Sequence, residues 1–396
     1  MKKRTLYLVQ TFFLVLSSLG FSQETVDAYY EVIKREGEHP LQFVQQQLDT
    51  HDLILFDDAL HNAVEPFEFY KDLLRAEENQ IAYVFLEVFG INHQPQIDAY
   101  LESADKDDGL LLKVFQDDFS GYGWKYETYY ELLSTIWDIN RSSDKKIKVR
   151  AVDQPIYWEG IHNRKQYDIF LKSLVGRDYF MYKTILDMMA SFKEGRKGIF
   201  LTNTRHAYKH IRNKEGALYW NTGTFFNQWH PDKTYSVRIH NATLSIERKK
   251  EADKNATSDG LGSYKYKWIQ MQNGIWDHAF AENNNQPIAF SLKDNVFGRA
   301  AYVGNHMLNV KAEQTMYDAY DALIFLKPLD QLHFSAKIDF IYTDAFKTEL
   351  ERRLRILQEG QMAEFLAKKE VGSLAEYIAQ ISVAQPRTKN DLIQLD

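Results

Sequence analysis

The sequence predicts an α/β protein, with a mostly parallel central sheet, helices on both faces, and helical additions at the N- and C-terminal ends. Three observations lead there. Short apolar runs recur at Leu53–Phe56, Ile81–Leu86, Ile147–Val152 and Gly198–Thr202. Segments with apolar residues three or four apart separate the runs, so strands alternate with helices along the chain. The runs are apolar throughout, as in strands covered on both faces.

The elements follow in order. Between Val26 and Thr50, Tyr29, Val32 and Ile33 and then Leu41, Val44 and Leu48 recur at helical spacing, and Pro40 divides two short helices. After Leu53–Phe56, Pro66 suits the first turn of a helix reaching to about Gln80, with Phe67, Tyr70, Leu73 and Leu74 on one face. A helical, charged region follows Ile81–Leu86 as far as Asn140 and carries the aromatic stretch Tyr122 to Tyr130. Helices fill Asn163 to Glu194, and further strands are expected at Tyr235–Ile239 and Ala322–Leu326. The polar, Gly-containing stretch Arg248–Ser263 reads as an exposed loop. From Asp344 to Gln380 the chain is helical, with Phe346, Leu350, Leu354 and Leu357 as its apolar stripe.

Residues 1–22 read as an export signal. Lys2, Lys3 and Arg4 precede the apolar stretch Leu6 to Leu16, and Gly20 and Ser22 are small residues suited to cleavage before Gln23. The stretch is shorter than the roughly 20 apolar residues of a membrane span, so an exported protein, periplasmic or secreted, is expected. The division is then 1–22 leader, 23–343 α/β domain and 344–396 helical extension. The chain has no cysteine, which removes disulfides, thiolate metal sites and a Cys nucleophile. An apolar content of 44% supplies a globular core, and a net charge of −7 argues against nucleic acid as the partner. A small-molecule substrate is the expected partner.

The chemistry sits at the strand ends. In open α/β sheets, ligands bind outside the carboxyl ends of the strands. The four runs end in proton-handling residues: Asp57 and Asp58 followed by His61 and Glu65, then Glu87, then Asp153, then Asn203, Arg205 and His206. Parallel neighbours would bring these into one cleft, supplying a base, a partner that orients it and a donor for developing negative charge. Each also has a plainer reading. His61 could cap a helix, and Asp153 could be an N-cap or turn residue. Glu87 directly follows a buried run, where an unpaired carboxylate is costly. His206 and His210 would share a helix face, but the Glu that the zinc-protease motif needs beside the first His is missing, so no metal site is expected. No Gly-rich phosphate loop and no Gly-x-Ser-x-Gly elbow is present.

At these residues the chain resembles the erythromycin esterase-like superfamily, whose distant relatives include the ChaN-like haem-binding proteins. The family's Gly-Glu-x-x-His, with a Glu four residues on, is similar to Asp57-Asp58-Ala59-Leu60-His61 with Glu65. Its second-strand Glu is matched by Glu87, and its aromatic segment leading to an Asn resembles Gly123-Trp124 through Asn140. Its Gly-x-Asp resembles Ala151-Val152-Asp153, its His-Asn-x-His resembles Asn203-Thr204-Arg205-His206, and its closing strand resembles Tyr320 to Leu326. The resemblance implies hydrolysis of an ester, lactone or related bond by an activated water, without a cofactor; haem or a divalent metal on the same fold is the alternative. It implies His61 as general base, Glu87 as the group that orients it, Asp58 as their support and His206 as an aid to the water or oxyanion. Asp57, Glu65, Trp124, Asp153, Asn203 and Arg205 would surround the substrate. Three positions depart from the pattern: Asp57 stands for Gly, Asp58 for Glu and Asn203 for His. These departures leave room for a catalytically degenerate member.

Overall fold

The computed structural model describes residues 25–193, 195–248, 264–304 and 310–393. The expected leader lies outside them, as does the expected exposed loop apart from Arg248, which ends a strand.

Eleven strands are described: β1 (Leu53–Asp57), β2 (Ile81–Gly90), β3 (Lys148–Asp153), β4 (Lys197–Thr202), β5 (Thr234–Ile239), β6 (Thr243–Arg248), β7 (Tyr264–Ile269), β8 (Ile288–Ser291), β9 (Ala322–Phe325), β10 (His333–Phe334) and β11 (Thr388–Lys389). Seven form the central sheet in the order β3-β2-β4-β1-β5-β9-β8. Every pairing in it is parallel except that of β8 with β9. The six parallel strands are those the apolar runs predicted. The edge strand β8 was not anticipated, because four residues, Ile288 to Ser291, leave no periodic signal of their own.

Alternation of side chains along each strand divides the core. Ile54, Phe56, Val84, Leu86, Ile199 and Leu201 pack on one face with the helices Val64–Ala76 and Glu127–Ser142. Leu53, Leu55, Tyr83, Phe85 and Phe200 pack on the other with Met181, Tyr182 and Ile185 of the helix Arg177–Met189 and Phe226 of the helix Thr222–Trp229. The second face is tight: a Cβ on Gly198 of β4 would lie 2.8 Å from the Phe85 ring.

Proline marks the helix starts as expected. Pro40 opens Pro40–Thr50, and Pro66 sits in the first turn of Val64–Ala76. Asn140, in the aromatic-segment motif, lies at the amino end of β3, away from the carboxyl edge. Its amide donates to Ile147 O at 2.8 Å and accepts from Ile147 N at 2.7 Å. No helix among the described residues is long and apolar enough to cross a membrane.

Both edges of the sheet are covered. Along β3, the Gln94 side chain donates to Val149 O and accepts from Ala151 N, each at 2.9 Å, in place of a neighbouring strand. Along β8, Glu38 and Ala289 exchange backbone hydrogen bonds of 2.9 Å.

The C-terminal region folds as the helices Asp344–Leu357, Met362–Lys368 and Leu374–Ile381. Phe346, Leu350 and Leu354 are buried in the same apolar cluster as Ile54 and Phe56. Buried Arg353 pairs with Asp117, donates to Gln116 O at 2.8 Å and lies over the Trp158 ring. Leu354→Ala is therefore expected to lower global stability by about 2–5 kcal/mol, as removal of a buried Leu does. Urea unfolding checks this; a single transition at lower midpoint is expected, and loss of the C-terminal helices alone, with the main transition unmoved, would contradict it.

Candidate functional site

The site lies at the carboxyl ends of β1, β2, β3 and β4. β2 is bulged there. Leu86 faces Ala151 and Gly90 faces Asp153, so β2 spends four residues where β3 spends two. Such irregularities re-aim side chains beside active sites, and this one carries Glu87.

Glu87 is nearly fully buried and meets four groups. Oε1 accepts from the Arg177 guanidinium at 2.6 Å and lies 3.3 Å from His206 Nε2. Oε2 accepts from Thr202 Oγ1 at 3.1 Å and lies 3.0 Å from His61 Nε2. Burial alone would raise its pKa, but His61, His206 and Arg177 outweigh it and hold the carboxyl well below the usual range.

His61 sits in the turn after β1. Its Nδ1 is 3.1 Å from the Tyr129 hydroxyl and 3.5 Å from Asp58 Oδ2, and its Nε2 is 2.7 Å from Asn203 Nδ2 as well as facing Glu87. The Trp124 ring stands edge-on to it, centroids 5.2 Å apart. Burial would lower its pKa, yet Glu87 and Asp58 prevail and raise it to about 10. His61 is thus an imidazolium at rest near neutrality. Its side chain is 17% exposed, against 3% for Glu87 and 5% for His206.

Asp58 has no exposed surface, and neither carboxylate oxygen has a hydrogen-bond partner. Burial raises it to about 6, against the pull of His61 and with the help of Asp57 and Glu87. The next residue, Ala59, has φ +61°, a left-handed conformation that costs a non-glycine residue about 1–2 kcal/mol. Its N–H donates to Asp57 Oδ1 at 2.8 Å, which holds the turn that presents Asp58 and His61.

A second layer lies behind Glu87. Arg177, at the start of its helix, grips Asp153 through two bonds of 2.6 and 2.9 Å. Burial raises Asp153, and Arg177 offsets part of that. His206 Nδ1 meets Asp178 Oδ1 at 2.7 Å, and Asp178 accepts from Thr222 N at 2.8 Å. His206 is raised to about 9: burial lowers it, and Asp178 and Glu87 prevail.

No protein-family model and no curated protein matches this sequence. Among solved structures, a succinoglycan biosynthesis protein aligns at TM-score 0.52 and 9% identity, over 77% of this chain and 97% of its own. The two share a fold. A Bacillus cereus protein aligns at TM-score 0.48 and 12% identity, over 76% of this chain and 97% of its own. A mutant of the erythromycin esterase EreC in its open conformation aligns at TM-score 0.47 and 10% identity, over 72% of this chain and 92% of its own.

Of the residues singled out in sequence, Asp58, His61, Glu87, Trp124, Asn203, His206 and, through Arg177, Asp153 come together. Asp57 faces elsewhere: its Oδ2 pairs with buried Arg238 at 2.6 Å and accepts from Tyr320 at 2.6 Å. Glu65 accepts from His333 N at 3.0 Å and meets His333 Nδ1 at 2.9 Å, holding β10 to the helix Val64–Ala76. Arg205 is exposed. His210 does not share a helix face with His206, because that helix spans only Thr204–Ala207. Arg177, Asp178 and Tyr129 join the cluster from helix positions that no strand-end pattern marks.

The two raised imidazoles make stability depend on pH. Their contribution is complete below the ordinary value of 6.5 and is lost as pH rises through about 9 for His206 and about 10 for His61. The urea midpoint is expected to fall between pH 7 and pH 10, and His206→Gln to flatten that fall. Equal midpoints in wild type at the two pH values would contradict the assignment.

Proposed function

We propose that this chain is a hydrolase in which His61 takes a proton from a water attacking an ester, lactone or related bond. One observation carries the reading: His61 is set among ionisable groups that are largely withdrawn from solvent, with Glu87 at one ring nitrogen and Asp58 beside the other. Neutral His61 is the base. As it takes the proton, two carboxylates already lie where the positive charge forms, an electrostatic preorganisation that needs no movement at the moment of reaction. His206 and Arg177 act through Glu87, fixing its carboxylate, because each is also engaged by a second carboxylate, Asp178 and Asp153 respectively. Trp124 and Tyr129 wall the imidazole on its apolar side.

Haem and divalent cations have no part in this reading. Among the described residues, no three His, Asp or Glu side chains are grouped to hold a metal ion.

A panel of activated esters and macrolactones tests the reading. Wild type is expected to turn over at least one member, and His61→Ala to lose about 100- to 10,000-fold in kcat/KM, the usual worth of a general base. The neutral fraction of His61 grows tenfold per pH unit below its pKa, so kcat/KM is expected to climb towards about pH 10. Equal rates in wild type and variant, or a rate falling over that range, would remove the assignment.

We further propose that the protein acts after export, on the strength of the basic and apolar leader in residues 1–22. Sequencing the mature N-terminus is expected to give Gln23; a mature chain that keeps Lys2 and Lys3 would contradict export by cleavage.

A further inference from the structure

One ring nitrogen of His61 faces two groups with opposite demands. Glu87 Oε2, at 3.0 Å, can only accept, so it requires an N–H on Nε2. Asn203 Nδ2, at 2.7 Å, can only donate, so it requires a lone pair there. An imidazole nitrogen offers one or the other, and the two contacts are satisfied in different protonation states. The amide of Asn203 is not free to turn. Its Oδ1 accepts from Arg205 N at 2.9 Å as the N-cap of the helix Thr204–Ala207, which leaves Nδ2 towards His61.

From this geometry we infer that Asn203 is a positioning residue that sets the proton affinity of His61, by donating to the neutral imidazole in competition with Glu87. The other groups around the ring favour the charged form or leave it unopposed. Asp58 comes from the same turn and Glu87 from the bulge of β2. Tyr129 comes from the helix Glu127–Ser142 and can donate or accept. Trp124 presents a ring edge. Arg177 and His206 reach His61 only by sharing the Glu87 carboxylate, which weakens its hold on the imidazole. Among the described residues, Asn203 is the one side chain whose direct hydrogen bond to the ring calls for the neutral base. It keeps that base accessible among carboxylates that would otherwise retain the proton.

The catalytic consequence rests on the hydrolase reading, but the proton affinity can be measured without turnover. Asn203→Ser keeps a capping oxygen and loses the amide donor; Asn203→Asp keeps the cap and the shape and replaces the donor with an acceptor. The imidazole carbon and proton resonances of His61, identified by their loss in His61→Gln, are followed from pH 7 to pH 11 in the full chain. A raised midpoint is expected in both variants, by about half a unit or more for Asn203→Ser and about one unit or more for Asn203→Asp. At pH 9 each variant then shows a more protonated His61 than wild type. An unchanged or lowered midpoint in Asn203→Asp, with thermal unfolding showing a folded protein, overturns the inference. If an ester is hydrolysed, the rise of kcat/KM with pH shifts to higher pH in parallel. If none is, the titration still decides the role of Asn203 and only the hydrolase reading fails.

Discussion

The carboxyl edge of the sheet is organised around one buried carboxylate, that of Glu87. Taking an isolated carboxylate out of water costs several kcal/mol even after relaxation, and removing one partner from a buried ion pair costs about 3–5 kcal/mol. Glu87 answers that cost with four partners from three separate pieces of chain: His61 after β1, Arg177 from a helix on the far face, and Thr202 ending β4 with His206 just beyond it. The carboxylate therefore ties the second-face helix, two strands and the β1 turn to one point. It also fixes the electrostatics of the mouth, because the same group that stabilises the imidazolium is itself restrained by a guanidinium and a second imidazole.

A parallel arrangement lies on β1, two strands along the sheet from β2, and accounts for a departure from the pattern that the sequence resembles. Asp57 stands where the resemblance has glycine, and its carboxylate gathers Ala59 N, Thr204 Oγ1, Arg238 and the Tyr320 hydroxyl. Arg238 is itself buried on β5, and Tyr320 belongs to the closing-strand motif. The added carboxyl is thus a structural anchor that joins β1, β5 and the residues before β9. It also accepts the N–H of the left-handed Ala59, so it braces the turn that delivers Asp58 and His61.

How much could be read from the sequence follows from where each signal resides. The parallel strands were legible because runs such as Leu53–Phe56 and Ile81–Leu86 are apolar on both faces and stop at charged residues. The strand ends also marked Asp58, His61, Glu87 and His206, which the fold brings together. The pattern could not separate these from Asp57 and Glu65, equally close to a strand end, because what distinguishes them is partners 181 and 268 residues away, Arg238 and His333. Arg177 was hidden for the complementary reason. It lies on a helix whose periodicity reports apolar positions and not a charged one. The bulge in β2 left no mark either, since Glu87-Val88-Phe89 continues the apolar run around it.

The way the sheet is finished at its margins limits how this molecule can meet a second copy. The side-chain amide of Gln94 occupies hydrogen-bonding positions on the outer rim of β3, and Glu38 does the same for part of β8. Open rims are where sheets recruit foreign strands and begin to aggregate. With both rims engaged from within, self-association by continuing the central sheet is disfavoured.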